Sequence, residues 1–333
     1  MSTPSSPIRS TRTLRSHLAR ESMLIILIVM CIALSYFEPS FRTTINLLNV
    51  LRQVSIIGVI AFGMTMVIIS AEIDLSVGSA AALAGCLTAV IIDKCGDKGI
   101  WLSVSLPLAV LTTLAAGFAM GVFTATMRNL FQVPCFITTL ALLTGLRGTA
   151  QYVTEGFPVN LPPGITFLGS GDILGVPVPA LIFLVVFMSV HFLMNYTTFG
   201  RSVYAVGGNA EAARLSGIDV WRIRVWVLAI NGMLAYLAGI LLAARIGSGI
   251  PTAALGMELD VIAAVIIGGT SLFGGSGRVW GTLVGLLFIG VMRNGMTLLN
   301  IQHDVQLIVR GGLILIAVWI NQTTLKYNSE RSR

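Results

Sequence analysis

Charged residues are scarce in this sequence. Only 11% of its 333 residues are Asp, Glu, Lys or Arg, whereas soluble globular chains carry about 25%. Hydrophobic residues make up 55%, so most of the chain must face lipid or other apolar segments. The apolar stretches are continuous and do not alternate with period two, which predicts membrane-spanning helices and excludes barrel strands.

Sequence motifs of catalysis and of metal or nucleotide binding are also lacking. The chain contains no GxxxxGK[ST], HExxH or GxSxG pattern, so a P-loop cannot bind ATP here. The three histidines are far apart, and the four cysteines form no CxxC pair, which indicates neither a metal site nor a disulfide framework. We therefore predict no cofactor and no enzymatic activity.

Ten apolar stretches approach the length of about 20 residues that a membrane-spanning helix needs. They lie at residues 22–38, 53–71, 75–93, 100–127, 132–153, 177–195, 223–244, 256–273, 279–299 and 306–322. The predicted fold class is an all-α polytopic membrane protein. Its transmembrane domain would be residues 22–325, between cytoplasmic tails at 1–21 and 326–333.

The stretch 256–273 is the weakest of the ten. Glu258 and Asp260 stand near its start, and Gly268 and Gly269 lie inside it. A re-entrant segment is the alternative to a full span, but it would put the basic C-terminal tail on the outside, which the positive-inside rule disfavours. We therefore expect a full span.

The distribution of basic residues predicts the orientation. With a cytoplasmic N-terminus, 13 of the 21 Lys and Arg residues fall inside, five outside and three within spans, as the positive-inside rule requires. Both termini are then cytoplasmic. The first 20 residues combine four arginines with many Ser and Thr, which is typical of an irregular tail. A signal peptide is the alternative, but no clear cleavage site follows.

The longest inside loop, 196–224, contains a short helix with recognisable ends. Asn209 is a good N-cap, Glu211 falls in the first turn, and Gly217 stands where a C′ glycine ends a helix. Two turns are not stable alone in water, so this helix packs either on its own domain or on a partner. The candidate coupling residues are Arg201, Asn209, Glu211, Ala212, Ala213 and Gly217.

Three arginines lie within predicted spans. Each would cost about 2.5–3.5 kcal/mol at mid-bilayer facing lipid, so we expect each to have a partner or a polar surrounding. In the predicted topology they share the outer half of the membrane with two acidic residues. Structural ion pairing or snorkelling is one interpretation, and lining of the outer mouth of a path is the other. These residues are Arg147, Arg293, Arg310, Glu258 and Asp260.

Glu72 and Asp74 are predicted at the inner face, either as caps of the third span or as part of an inner gate. The pattern Glu-x-Asp recurs at residues 258–260, and an Arg-Gly pair recurs at 147–148 and 310–311. In the first case the copies fall at opposite membrane faces, as in an inverted repeat. Short matches of this kind also arise by chance.

Four ordered motifs resemble those of the ribose-type sugar permeases of bacterial ATP-binding-cassette (ABC) importers. They are GRSVYAVGGNAEAARLSGI at 200–218, EIDLSVGS at 72–79, DVIAAVIIGG at 260–269 and VRG at 309–311. The resemblance extends over about residues 22–325. One departure is Ala71, where the family usually has Gly.

The resemblance implies a homodimeric inner-membrane permease that works with a cytoplasmic ATPase and a periplasmic sugar-binding protein. Loop 200–218 would then be the coupling loop, and the cargo a monosaccharide such as a pentose or a hexose. Two alternatives stay open. The importer could carry another small polar solute, or the chain could be a secondary transporter driven by an ion gradient. The second has no need of a docking helix.

Overall fold

Long apolar runs form long helices because a helix satisfies all of its backbone hydrogen bonds internally. The computed structural model describes the backbone of residues 8–331 and the side chains of residues 23–316, 318 and 319. The helices are α1 Ile8–Phe37, α2 Thr44–Ile69, α3 Val77–Asp97, α4 Leu102–Asn129, α5 Cys135–Val153, α6 Pro163–Ser170, α7 Val178–Tyr196, α8 Thr198–Gly208, α9 Ala210–Leu215, α10 Val220–Ile246, α11 Met257–Ile267, α12 Val279–Leu298 and α13 His303–Arg331.

The few strands are two residues long. They are β1 Val159–Asn160, β2 Asp172–Ile173, β3 Val176–Pro177 and β4 Ser248–Gly249. β1 pairs antiparallel with β4, and β2 with β3. The β2–β3 hairpin is held to α2 because both oxygens of the Asp172 carboxylate accept hydrogen bonds from Arg52, at 2.7 and 3.0 Å. The all-α polytopic prediction is therefore confirmed.

Among the described residues, six helices are long and apolar enough to cross a membrane: α2, α3, α4, α7, α10 and α12. The apolar part of α1, Met23–Phe37, is shorter. By this criterion the predicted count of ten spans is not reached.

The helix α10 lies at the centre of the bundle, against α2, α3 and α4. Small residues permit this close packing. Gly121 of α4 touches the backbone of Leu228 of α10 so closely that a side chain at Gly121 would overlap the Leu228 carbonyl. Gly285 of α12 packs in the same way on the carbonyl of Ala264. The GxxxG pairs Gly117–Gly121 and Gly281–Gly285 therefore contribute contacts within the chain.

The connection between α2 and α3 lies deep inside the bundle. Ala81 of α3 faces Gly239 of α10, and Gly85 faces Ala243, so these two helices run parallel. By this register α3 begins level with a point about 15 residues, or about 22 Å, along α10. Residues 70–76 must therefore run back from the end of α2 into the middle of the bundle before α3 begins.

The expected full helical span at 256–273 is wrong. The helix α11 has 11 residues and is about 16 Å long, half of the roughly 30 Å hydrocarbon core. Gly256, with φ of 73°, precedes its first residue, and Gly268 follows its last. Gly269 then takes a φ of 88°, so the chain turns where the apolar sequence pattern suggested further helix.

A nonhelical stretch supplies the other part of this span. Gly249, the residue before this nonhelical stretch, lies against Cys86 in the middle of α3. Beyond α11, the Gly275 amide donates to the carbonyl of Ile69, the last residue of α2, at 2.9 Å. Residues 250–275 therefore pass from the middle of α3 to the end of α2 as a discontinuous span.

The terminal helices cross the boundaries predicted for the two tails. The backbone of residues 8–21 is helical and continuous with the first apolar segment, so the expectation of an irregular tail is wrong for these residues. Residues 326–331 likewise continue α13. Residues 1–7 and 332–333 lie outside the described part of the chain.

Candidate functional site

The short helix of the 196–224 loop has the ends that its sequence predicts. The Asn209 side-chain oxygen accepts hydrogen bonds from the amides of Glu211 and Ala212, both at 3.0 Å. At the other end Gly217 has φ of 84°, and the Ile218 amide donates to the Ala213 carbonyl at 3.0 Å, which closes a Schellman motif. Asn209 and Gly217 therefore define the length of α9.

Most of α9 is exposed. Glu211 and Ala212 face outward, and Leu215 is 76% exposed. Arg201, in α8, is also exposed. Ala213 is only 4% exposed, so its methyl group faces the chain itself and not the exposed side of α9. It faces the protein because α9 lies against α8 and the start of α10. A large residue at this position would disturb the packing of the chain itself.

Arg214 and Glu211 form an ion pair on the exposed side of α9. The Arg214 Nη2–Glu211 Oε1 distance is 2.7 Å. The hydrogen bond and charge of Arg214 lower the pKa of the Glu211 carboxyl. Exposed pairs of this kind contribute little to stability. Glu211 is therefore accessible to a basic partner surface that competes with Arg214.

The Glu72 carboxylate lies next to two arginines from different helices. Arg128 Nε of α4 donates to Glu72 Oε1 at 2.9 Å. Arg224 Nε of α10 lies 3.3 Å from the same oxygen without forming a hydrogen bond. Glu72 is 7% exposed. The cluster ties residues 70–76 to the ends of α4 and α10, and the Thr139 hydroxyl of α5 adds a contact to this segment at 3.4 Å.

Asp74 lies within the helix bundle, against the middle of α10. Its Oδ2 accepts a hydrogen bond of 2.8 Å from the side-chain amide of Asn231, which is about 16 Å along α10 from its first residue. Its Oδ1 accepts from both the amide and the hydroxyl of Ser76, at 2.9 and 2.6 Å. Asp74 therefore orders the turn into α3 in the middle of the bundle.

The second acidic cluster surrounds Asp260 of α11. Arg310 Nη1 of α13 donates to Asp260 Oδ1 at 2.7 Å, and Arg293 Nη1 of α12 lies 3.9 Å from Oδ2. Asp260 is 6% exposed. The ion pairing expected for arginines within spans is therefore present for both arginines, with Asp260 as the shared partner. It joins α11 to its two neighbours.

The discontinuous span 250–275 makes two further contacts, one with Arg147 of α5 and one through its own Glu258. Arg147 Nη1 of α5 donates to the carbonyls of Pro251 and Ala253, at 2.7 and 2.6 Å, so it stabilises the nonhelical stretch before α11. The Glu258 carboxylate lies against Gly78 in the first turn of α3, where a side chain on Gly78 would overlap it. The first turns of α3 and α11 therefore meet inside the bundle.

Three residues of these clusters belong to no recognisable motif. Arg128 and Arg224 are among the basic residues predicted inside, and Asn231 is one polar residue within an apolar stretch. The available signal was the position of each arginine in its helix. Arg128 lies at the end of α4, and Arg224 lies near the start of α10. Arg128 is 56 residues from Glu72, and Asn231 is 157 residues from Asp74. No local motif can reveal pairs that are so far apart in the sequence.

Comparison with known proteins gives a family and close relatives. Residues 46–318 match the family model described as branched-chain amino acid transport system / permease component. The ribose import permease protein RbsC of Escherichia coli is 42% identical over 92% of this chain and 95% of its own length. The Bacillus subtilis ribose import permease protein RbsC is 42% identical over 89% of this chain and 90% of its own.

A xylose transport system permease protein, XylH of Haemophilus influenzae, is 34% identical over 91% of this chain and 96% of its own length. No solved structure matches the chain.

Proposed function

The chain belongs to the permease family described as branched-chain amino acid transport system / permease component, and on this basis we propose that it is the membrane-spanning subunit of an ATP-driven importer of a small sugar. The observation that carries the proposal is the similarity to ribose import permeases over about nine-tenths of both chains. The xylose permease extends the expected cargo to pentoses as a class.

The proposed assembly has separate subunits for binding and for energy. A periplasmic binding protein delivers the sugar to a permease homodimer in the inner membrane, and a cytoplasmic ATPase supplies energy. Both termini and the α8–α9 segment face the cytoplasm in this arrangement. The exposed helix α9 supports the ATPase contact, because its caps define its length and its outer side carries the exposed Ala212 and Glu211.

The two acidic clusters supply the proposed gates. Glu72 with Asp74 anchors the discontinuous connection into α3, while Asp260 and Glu258 belong to α11. The discontinuous span 250–275 is stabilised by arginines from three neighbouring helices: Arg147 of α5, Arg293 of α12 and Arg310 of α13. A discontinuous helix can rearrange at its nonhelical part without breaking a continuous backbone ladder, so these two connections are the parts of the path proposed to open and close.

Reconstitution tests the proposal. The permease is coexpressed with the candidate ATPase and sugar-binding protein that copurify with it and placed in proteoliposomes. We expect uptake of radiolabelled ribose or xylose that requires ATP and the binding protein and persists when ion gradients are dissipated. Uptake that needs an ion gradient but no ATPase would favour the secondary-transporter alternative, and ATP-dependent uptake of a different solute would change only the cargo.

The docking role of α9 is tested by Ala212→Trp, with Ala213→Trp as a contrasting variant. Ala212 is exposed, so Ala212→Trp should abolish copurification with the ATPase and leave the thermal stability of the permease unchanged. Ala213 is buried, so Ala213→Trp should lower stability itself. If Ala212→Trp permease copurifies and transports normally, α9 is only a connector.

A further inference from the structure

The helix α8 packs directly on the end of α2. Gly207 in the last turn of α8 touches the carbonyl of Ile69, and a side chain at Gly207 would overlap that oxygen. The same Ile69 carbonyl accepts the hydrogen bond of the Gly275 amide at 2.9 Å. One backbone oxygen thus contacts both α8 and the turn between α11 and α12.

This contact, formed by Ile69, Gly207 and Gly275, is here named the glycine junction. It joins two segments, here called the discontinuous spans: residues 70–76, which lead from α2 into α3, and residues 250–275. Ile69 ends α2 immediately before residues 70–76, which lead into α3. Gly275 belongs to the turn that follows α11. The hydroxyl of Tyr204 in α8 strengthens the junction by donating to the Gly277 carbonyl at 3.0 Å.

The glycine junction is also connected rigidly to α9. The Asn209 amide donates to the carbonyl of Ala205 in α8 at 3.0 Å, and the Asn209 side chain caps α9. Only this residue separates the two helices. A displacement of α9 therefore moves the end of α8, and a contact between backbone atoms has no side-chain rotamers to absorb the movement.

We propose that Gly207 is a positioning residue that transmits displacement of α9 to both discontinuous spans at once. This inference rests on the proposed function, because it supposes that an ATPase displaces α9. It adds the route by which one cytoplasmic contact would move the start of α3 and the end of α11 together. When Gly207 is altered, the ATPase should still bind, but displacement of α9 should no longer move the two discontinuous spans.

A matched pair of neighbouring glycines provides the test. Gly207→Ala forces a methyl group into the glycine junction, whereas a methyl group at Gly208 would meet nothing within 4 Å. The reporter is Leu255→Cys in the nonhelical stretch before α11, where Leu255 is 70% exposed. Its maleimide labelling rate is measured in the assembled transporter, without nucleotide and with the ATPase trapped by ATP and vanadate. The rate of the chain without the reporter is subtracted.

The expected results differ between the two glycines. Coupling between sites typically changes an equilibrium about 5–150-fold, so trapping should alter labelling at least about fivefold in the parent and in Gly208→Ala. In Gly207→Ala the change should fall below about twofold, with copurification of the ATPase and labelling without nucleotide both unchanged. A purely structural glycine would instead lower assembly and leave the trap-dependent change intact in the assembled fraction.

Retention of the full change in Gly207→Ala overturns the inference, as does an unresponsive reporter in a parent that transports. If Gly207→Ala does not assemble, Tyr204→Phe decides, since it removes only the hydrogen bond to Gly277. Its trap-dependent change should be reduced, and an unaltered change again overturns the inference. A parent that neither binds an ATPase nor transports overturns the proposed function instead.

Discussion

The ion pair between Asp260 and Arg310 offers a quantitative test of how α11 is held. Replacing Asp260 by Leu leaves Arg310, only 22% exposed in its side chain, without a buried counter-charge. Replacing Arg310 by Met leaves Asp260 with Arg293 alone, at 3.9 Å. The three variants to compare are Asp260→Leu, Arg310→Met and their combination.

The expected magnitudes follow from burial. Removing one partner of a buried ion pair costs about 3–5 kcal/mol, while replacing both by apolar residues is often nearly neutral. We expect Asp260→Leu to fall in this range and Arg310→Met near its lower end, because Arg293 compensates in part. The double variant should be much more stable than the sum of the single losses predicts.

Arg293 is the matched control. Its side chain is 48% exposed and its Nη1 lies 3.9 Å from the same carboxylate, so this pair is longer and less buried than the pair of Asp260 with Arg310. Exposed ion pairs contribute about 0–1 kcal/mol. Arg293→Met removes the same positive charge as Arg310→Met from a neighbouring helix, and it should therefore cost far less stability.

The measurement is reversible unfolding of the purified permease in mixed micelles, with a double-mutant cycle built from the four chains. The cycle should give a coupling free energy of about 2 kcal/mol or more between Asp260 and Arg310. Additive losses in the cycle would refute the pairing argument. Equal losses for Arg293→Met and Arg310→Met would refute the burial argument.

Three further expectations are independent of that pair. Ala71 has φ of 62°, a conformation that costs a residue with a side chain about 1–2 kcal/mol, so Ala71→Gly should raise the melting temperature, and a lower one would contradict the strain. Gly121→Ala should cost about 1–3 kcal/mol by overpacking, while Gly145→Ala, with open space around it, should unfold no lower than the parent because Ala favours a helix interior over Gly. Cysteines placed in the exposed part of 196–224 should react only from the cytoplasmic side, and labelling from outside would refute the predicted orientation.

Features that depend on neighbouring residues could be predicted from the sequence. The cap at Asn209 and the left-handed Gly217 were correct because a helix end is determined by side chains within a few positions of it. The departure at Ala71, where the family usually has Gly, was likewise a local signal. Its physical meaning, a positive φ at the end of α2, became visible only in the structure.

The length of α11 and the burial of Ala213 could not be read locally. An apolar run at 256–273 is compatible with a full span and with half of one, since hydropathy reports composition and not where the helix ends. Ala212 and Ala213 are identical neighbours, yet only the packing of α9 on α8 and α10 makes one exposed and the other buried.

Hydropathy, charge and helix capping act over short distances, so a membrane protein of long helices with a capped helix in a basic loop could be predicted from the sequence. Which charges meet depends on the tertiary structure. Glu72 pairs with Arg128 and Arg224 on two other helices. Asp260, and not Glu258, is the acidic residue that pairs with Arg310. Such partners depend on the depth at which each helix begins, and that depth is fixed by the packing of the whole bundle.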